Sequence, residues 1–204
     1  TVTMPPAVTA STGSDALCQA IESYTSIGAG PLTDALAMRA IELISANLLR
    51  AYENGHDLQA REAMSMGSLM AGVALVNARL GAVHGLAHPL GSHFRIPHGI
   101  ICGLLLPPVM AYNLPAVTQK YAEVARLMGE PVHGRSAEDS ARCAVERVRD
   151  LVTRVGVPLH LSQFGVRVDD FDAIIAEALT QSSLKHNPLK LSGEDVRRIL
   201  QASM

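Results

Sequence analysis

The feature that most constrains the fold is a near-continuous series of helical segments. Apolar residues recur with the period of an α-helix, and no stretch alternates apolar and polar residues as a half-buried strand does. Capping residues, glycines and prolines separate the segments. This pattern predicts an all-α, multihelical fold. The segments with clear boundaries are Asp15–Thr25, a helix opened by Pro31 and stopped by Asn54-Gly55, Asp57–Leu80, Pro115–Met128, Ser136–Val155, Asp169–Thr180 and Ser192–Ala202.

The amino-acid composition agrees with helix-on-helix packing. Hydrophobic residues make up 48% of the chain but aromatic residues only 3%, so the core must consist of Ala, Leu, Val, Ile and Met. A chain of 204 residues is long enough to bury such a core. We predict one domain over residues 1–204, with residues 1–14 as a linker and residues 156–168 as an internal loop.

The charge and the cysteines exclude several classes of protein. A net charge of −2 leaves no basic surplus for binding nucleic acid, so small molecules are the expected partners. Cys18, Cys102 and Cys143 are odd in number and widely spaced, which does not suit a disulfide framework or a structural zinc knuckle. A reduced, cytoplasmic setting is predicted.

Neither a signal sequence nor a membrane span is predicted. The most apolar run, residues 100–110, is short and contains Pro107-Pro108. The chain begins at Thr1 without an initiator methionine, and we interpret it as a fragment of a longer protein.

The segment from Gly81 to Gly99 has a different composition, with four histidines and four glycines. Polar imidazoles are costly in an apolar, glycine-rich stretch unless a partner satisfies them. A single histidine on a helix is usually a surface or core residue. Four of them within this segment indicate a functional site.

The spacing of polar residues predicts a metal site. Asp15 and Gln19 lie four apart on one helix face, as do His84 and His88. His98 lies in a turn-like Pro-His-Gly setting from which its imidazole can reach the same point. A carboxylate with two or three imidazoles suits a borderline divalent metal such as iron(II) or zinc.

Several blocks carry a resemblance to a known family over the whole chain. They follow one another in the order Met4–Tyr24, Gly81–Gly91, Pro97–Gly99, Leu106–Asn113 and Asn187–Val196. Together they resemble the signature blocks of the iron-containing (group III) alcohol dehydrogenases. The resemblance implies the helical C-terminal domain of the dehydroquinate synthase-like type, which in the family follows a Rossmann-like NAD(P)-binding domain.

The resemblance also implies roles for individual residues. The family's metal aspartate falls on Asp15, and two of its metal histidines fall on His84 and His98. His88 matches a histidine that lines the cleft near the nicotinamide and acts as a proton relay. Val8 falls where the helical half touches the cofactor. The divalent metal, iron(II) before zinc, is expected to bind the oxygen of an alcohol or aldehyde substrate.

The chain departs from the family pattern in two ways. Gln19 stands where the family usually has a metal-binding histidine, and we keep Gln19 in the predicted ligand set through its amide oxygen. In addition, no glycine-rich loop follows a strand, so the pyrophosphate-binding element is missing. Residues 1–204 alone are therefore not expected to form a competent dehydrogenase. The complete enzyme is expected to be a homo-oligomer that uses NAD(P).

Two alternatives remain open from the sequence. The first is a metal-independent reductase of the same superfamily, similar to maleylacetate reductase, which Gln19 favours. The second is a helical binding module without catalysis, which the missing nucleotide domain favours and the intact histidine segment disfavours.

Overall fold

Eight α-helices and no strand make up the computed structural model, which describes all residues from Thr1 to Met204. The all-α prediction is therefore confirmed. Three short 3₁₀ turns at Leu161–Phe164, Val168–Asp170 and Ser182–His186 lie among the connections of the C-terminal part. The helices are α1 (Pro6–Thr25), α2 (Pro31–Glu53), α3 (Leu58–Ala78), α4 (Ala82–Phe94), α5 (His98–Leu127), α6 (Ala137–Arg154), α7 (Phe171–Ala178) and α8 (Gly193–Ala202).

Four helices begin where their capping chemistry predicted. Pro31 opens α2, and the Asp57 carboxylate caps α3 by accepting a hydrogen bond of 3.0 Å from the Ala60 amide. The Ser136 hydroxyl caps α6 in the same way, and Ser192 forms a capping box with Asp195 at the start of α8. Local side-chain chemistry therefore predicts these boundaries correctly.

Helix α1 begins nine residues before the predicted start at Asp15, so the prediction of a linker over residues 1–14 is wrong from Pro6 onward. Pro6 occupies the first helical position, where a missing amide hydrogen costs nothing. Ser11, Thr12 and Ser14, the hydroxyl residues from which a cap before Asp15 was predicted, lie inside the helix instead. The Thr12 hydroxyl, for example, donates a hydrogen bond of 2.8 Å to the Val8 carbonyl one turn back.

Helix α5 was predicted to begin at Pro115 but begins at His98. It runs through three prolines and is kinked only at Val117, where φ is −132°. The three prolines cannot donate backbone hydrogen bonds, but packing of α5 against α1, α4 and α6 outweighs this loss. Its length and composition would suit a membrane span, but 61% of its apolar window is buried inside the structure, as expected for a core helix.

The core is one cluster of 51 buried residues, to which every helix except α3 contributes large or branched side chains. Helix α1 lies at its centre and packs against α2, α3 and α5. Alanines dominate the buried face of α3, which allows α2 and α3 to approach closely. The core therefore consists mainly of aliphatic side chains, as the composition predicted.

Two glycines bring α5 against α1. A Cβ atom on Gly99 would lie 2.1 Å from the carbonyl oxygen of Ser11, and one on Gly103 would lie 3.0 Å from the Cβ of Ser14. Only glycine permits the approach at position 99, since no side-chain atom fits at that distance from a backbone oxygen. The contact holds the first turn of α5 beside the middle of α1.

Candidate metal centre

Three predicted residues meet where α1, α4 and α5 come together. The Asp15 Oδ1 atom lies 3.3 Å from His84 Nε2 and 3.5 Å from His98 Nε2. The two imidazole rings are tilted against each other with their centroids 5.3 Å apart. One carboxylate oxygen and two ring nitrogens therefore face a common point, although the residues are far apart in the chain.

The Asp15 carboxylate has one oxygen with a hydrogen bond and one without. Gln19 donates from Nε2 to Oδ2 over 2.9 Å, while Oδ1 is buried and accepts no hydrogen bond. An uncompensated buried carboxylate oxygen is costly. A cation between Oδ1 and the two imidazoles would satisfy it, so the residues present fit a divalent metal.

A second carboxylate orients the His84 ring. Glu22 is 4% exposed, and its Oε2 atom lies 2.6 Å from His84 Nδ1. A proton on Nδ1 donates to this carboxylate and leaves the Nε2 lone pair facing Asp15 and His98. Carboxylates that hold a metal-binding histidine in this way also make the ring a stronger donor.

The same carboxylate anchors the start of α4. Glu22 Oε1 accepts a hydrogen bond of 2.7 Å from the Val83 amide, and the Asn187 side chain accepts one of 3.2 Å from the Ala82 amide. Asn187 is held in turn by Asn113 through two reciprocal amide hydrogen bonds. These contacts give the first turn of α4, which carries His84, a fixed position.

Two cysteines lie near different nitrogens of the His84 ring. The Cys102 sulfur is 3.9 Å from Nε2 of His84 and 3.5 Å from Nε2 of His98. The Cys18 sulfur is 3.9 Å from Nδ1 of His84, the nitrogen that faces Glu22. Cys102 therefore belongs to the group of atoms that face the candidate metal position, and Cys18 does not.

The pKa values of Asp15 and His98 show how strongly these groups interact. Burial raises the pKa of Asp15, but the neighbouring His84 and His98 imidazoles outweigh burial and hold that pKa below its ordinary value. Asp15 is the main cause that raises the pKa of His98 to about 10, and Cys102 contributes in the same direction. Protonated imidazoles are the counter-ions of the carboxylate when no metal is bound.

The pKa values of the buried His84 and Cys102 side chains are shifted by the same neighbouring groups. Burial lowers the pKa of His84, but Asp15, Cys102 and Glu22 together raise it well above its ordinary value. Burial raises the pKa of Cys102, whereas Cys18 and the two imidazoles lower it, to about 6. The pocket therefore favours a negative sulfur beside positive charge.

His88 faces away from this cluster, although it lies only one turn after His84. Its side chain is 63% exposed, and its Nδ1 lies 2.9 Å from Glu177 Oε1 on α7. The other oxygen of Glu177 lies 2.8 Å from Nε2 of His93. His88, His93 and Glu177 thus form a separate, exposed group.

The remaining predicted residues are placed as follows. Val8 lies near the start of α1 with 43% of its surface exposed, which is compatible with contact to another molecule. Gln19 lies beside the cluster, but its amide donates to Asp15 and thereby orients the carboxylate. The amide group was predicted as a metal ligand through its oxygen, and no contact in the structure tests that role.

Sequence reasoning missed Glu22, Cys102 and Glu177. Glu22 follows Asp15 at a spacing of seven, and Cys102 follows His98 at a spacing of four, so each lies on the same helix face as a predicted ligand. That signal was available in the chain. Glu177 gave no such signal, since only tertiary packing brings α7 beside α4.

The model of a known protein family matches almost the whole chain. The model of the Fe-containing alcohol dehydrogenase family, C-terminal part, matches residues 9–204. The chain belongs to this family. The resemblance inferred from the sequence blocks is thereby confirmed, as is the fold type that it implied.

Two relatives are dehydrogenases or reductases of small alcohols and aldehydes. The chain is 44% identical to 1,3-propanediol dehydrogenase of Klebsiella pneumoniae over 197 residues, which covers 97% of this chain and 51% of that protein. It is 46% identical to lactaldehyde reductase of Escherichia coli (strain K12) over 193 residues, which covers 95% of this chain and 50% of that protein. The chain thus spans about half the length of these relatives.

The fold matches a solved structure of the family closely. The crystal structure of a 1,3-propanediol oxidoreductase superposes with a TM-score of 0.99 at 43% identity, covering 100% of this chain and 53% of that one. The eight helices described above therefore correspond to one half of that enzyme.

Proposed function

We propose that the chain is the metal- and substrate-binding half of an NAD(P)-linked alcohol dehydrogenase or aldehyde reductase. The observation that carries the proposal is the convergence of Asp15, His84 and His98 around a carboxylate oxygen that lacks a hydrogen bond. When bound, the divalent metal, iron(II) or zinc, supplies Lewis-acid polarisation of the substrate oxygen. Small alcohols or aldehydes are the proposed substrate class.

The chain's own residues hold this site in a fixed geometry. Glu22 keeps the proton of His84 on Nδ1, so that Nε2 is free to bind the metal. Gln19 fixes the second oxygen of Asp15, which directs Oδ1 toward the imidazoles. His98 is about half exposed and thus lies where the site opens toward solvent. Substrate is proposed to enter on that side.

His88 is proposed to move a proton between substrate and solvent. Its exposed ring lies one turn after His84, and Glu177 holds its Nδ1 atom, which leaves Nε2 as the exchanging atom. Val8 is proposed to touch the nicotinamide cofactor.

Hydride transfer requires a bound nicotinamide cofactor, and residues 1–204 contain no strand that could carry a dinucleotide-binding loop. We therefore expect them not to transfer hydride by themselves, and we propose a cytoplasmic, homo-oligomeric complete enzyme.

A metal-independent reductase of the same superfamily is the second candidate. Two observations favour it, namely the amide of Gln19 in contact with Asp15 and the raised pKa of both imidazoles, which lets protonated histidines neutralise the carboxylate. In that case the cleft would bind its substrate without an ion. Metal content separates the two candidates.

The test is elemental analysis of the purified chain after incubation with iron(II) or zinc and removal of unbound metal. The wild-type chain is expected to retain about one equivalent of metal, consistent with a single site of this ligand type. His98→Ala is expected to lower metal affinity at least about tenfold, while the helical circular dichroism spectrum persists because the ring is half exposed.

His88→Ala is the matched control, since it removes an exposed imidazole one helical turn from the site. It is expected to leave metal content unchanged. A wild-type chain that binds no metal would favour the metal-independent reductase. Loss of metal in His88→Ala but not in His98→Ala would show that the ligand set is wrong.

A further inference from the structure

We propose that the Cys102 sulfur is the fourth protein ligand of the metal bound by Asp15, His84 and His98. This inference rests on the proposed function, because it takes the metal site as given. It concerns a residue that the sequence reasoning did not assign to any site, and it gives this chain an Asp-His-His-Cys donor set.

Four distances between the donor atoms lie within about 0.4 Å of those around a single tetrahedral ion. Metal bonds of about 2.0 Å to oxygen or nitrogen and about 2.3 Å to sulfur, at tetrahedral angles, separate O from N by about 3.3 Å and N from S by about 3.5 Å. In the structure, Asp15 Oδ1 lies 3.3 and 3.5 Å from the two Nε2 atoms, and the Cys102 sulfur lies 3.5 and 3.9 Å from them. All four donor atoms lie within 4.8 Å of one another.

The position of Cys102 on α5 explains why its sulfur reaches the site. His98 and Cys102 are four residues apart, so their side chains project from the same face of the first turns of α5. The close contact of Gly99 with Ser11 presses this face against α1, where Asp15 lies. The residue is fully buried, so its sulfur lies beside the two imidazoles without access to solvent.

Gln19 does not compete for this position. Its Nε2 atom donates to Asp15 Oδ2 over 2.9 Å, and this hydrogen bond turns the amide toward the far oxygen of the carboxylate. A neutral amide is also a weaker donor to zinc or iron than a thiolate. Of the two neighbouring groups, the sulfur is the one that faces the ring nitrogens.

Cys18 serves as an internal comparison. It is also fully buried and also lies 3.9 Å from the His84 ring, but on the side of Nδ1. Glu22 already accepts the proton of that nitrogen at 2.6 Å, so the group formed by Cys18, Glu22 and His84 holds a proton where a metal would have to bind. Cys18 is therefore a packing residue, as most buried free cysteines are.

The proposal predicts a softer site than one built from oxygen and nitrogen alone. Metal binding releases to solvent the protons on the Nε2 atoms of His84 and His98, as the bonds to these nitrogens and to the thiolate sulfur form, with no change in oxidation state. A thiolate in the donor set favours zinc and cobalt(II) over manganese and magnesium. Four protein ligands fill a tetrahedron, so substrate would bind as a fifth ligand.

Cobalt(II) reports directly on sulfur ligation, because a thiolate bound to cobalt gives an intense charge-transfer band in the near ultraviolet. The metal-free chain is titrated with cobalt(II), and bound cobalt is measured by elemental analysis. The band is expected in the wild type and in Cys18→Ser, and it is expected to disappear in Cys102→Ser. Zinc affinity should fall at least about tenfold in Cys102→Ser and stay unchanged in Cys18→Ser.

The outcomes separate this inference from the proposed function. Cobalt bound at one equivalent without the band in the wild type would overturn the role of Cys102 and leave the metal centre intact, and that result needs no variant. A band that persists in Cys102→Ser would also overturn it, since another cysteine would then be the ligand. A wild-type chain that binds neither cobalt nor zinc would instead overturn the proposed function.

Discussion

Two histidines one turn apart on α4 have opposite surroundings. The His84 side chain is 8% exposed and lies between the carboxylates of Asp15 and Glu22. The His88 side chain is 63% exposed and contacts the single carboxylate of Glu177. Residue type and helical spacing are the same in both cases. Burial and the number of fixed partners decide that the His84 ring is held in place and that the His88 ring is open to solvent.

The physical reason is the cost of burying polar groups. Inside the core, each polar atom that loses water must find a partner, so the His84 ring and its two carboxylates fix one another. At the surface, water competes with every contact, and an ion pair there contributes little to stability. The comparison predicts large effects for changes near His84 and small effects for changes near His88.

The largest effect is expected for Glu22→Gln. The amide that replaces the carboxylate has one oxygen for two donors, so either the Val83 amide or the His84 ring loses its acceptor. An amide NH₂ facing Nδ1 favours the other tautomer of His84, which places the proton on Nε2. We expect metal affinity to fall about 10- to 100-fold and the free energy of unfolding to fall by about 1.5–3 kcal/mol.

Isothermal titration with zinc and chemical denaturation measure the two effects of Glu22→Gln. If both stay at their wild-type values, Glu22 does not orient His84. A loss of stability without a loss of metal affinity would limit Glu22 to anchoring α4.

An intermediate effect is expected for Gly99→Ala. The added methyl group would lie 2.1 Å from the Ser11 carbonyl oxygen, so the first turn of α5 must move away from α1 and carry His98 with it. Overpacking of this kind costs about 1–3 kcal/mol. Chemical denaturation and metal analysis should both show a decrease.

Gly72→Ala is the control for Gly99→Ala. A Cβ atom at Gly72 meets nothing within 4 Å, and the residue lies inside α3. Alanine there should raise stability by up to about 1 kcal/mol, because it restricts the unfolded chain and favours the helix. Equal effects at both positions would contradict the role assigned to the close contact of α5 with α1.

The smallest effect is expected for Glu177→Gln. Hydrogen bonds from His93 and then His88 lower the pKa of Glu177, so they stabilise the fold above the ordinary carboxyl pKa of 4.5, and this contribution is lost as the pH falls through the lowered value. The wild type and the variant should differ slightly in unfolding midpoint at about pH 5.5 and coincide in strong acid. Metal content should stay unchanged, and a loss of metal would mean that the exposed group supports the buried one.

Much of the local structure was predictable from the chain. The caps at Asp57, Ser136 and Ser192 act over three residues, so their helix starts follow from adjacent side chains. The starts of α1 and α5 were predicted wrongly because packing overrides local signals there. The Thr12 hydroxyl bonds back into the helix, and the prolines of α5 are tolerated inside a buried helix.

The site was only partly predictable. Spacing placed Asp15 with Gln19 and His84 with His88 on common faces, but it did not decide which member of each pair faces the cluster. A side chain four residues along is one turn further along the helix axis. On α4 that turn separates the core from the surface, and on α1 it places Gln19 where it contacts the carboxylate.

The sequence by itself determined the helical class, the capped boundaries and three of the polar residues that meet at the candidate site, Asp15, His84 and His98. These follow from local chemistry and from periodicity along one chain. Only the tertiary structure decided that α1, α4 and α5 meet, that Glu22 orients His84 and that Cys102 faces the same point. Such contacts depend on how closely helices approach, and that distance is determined by residues such as Gly99 whose partners lie far away in the chain.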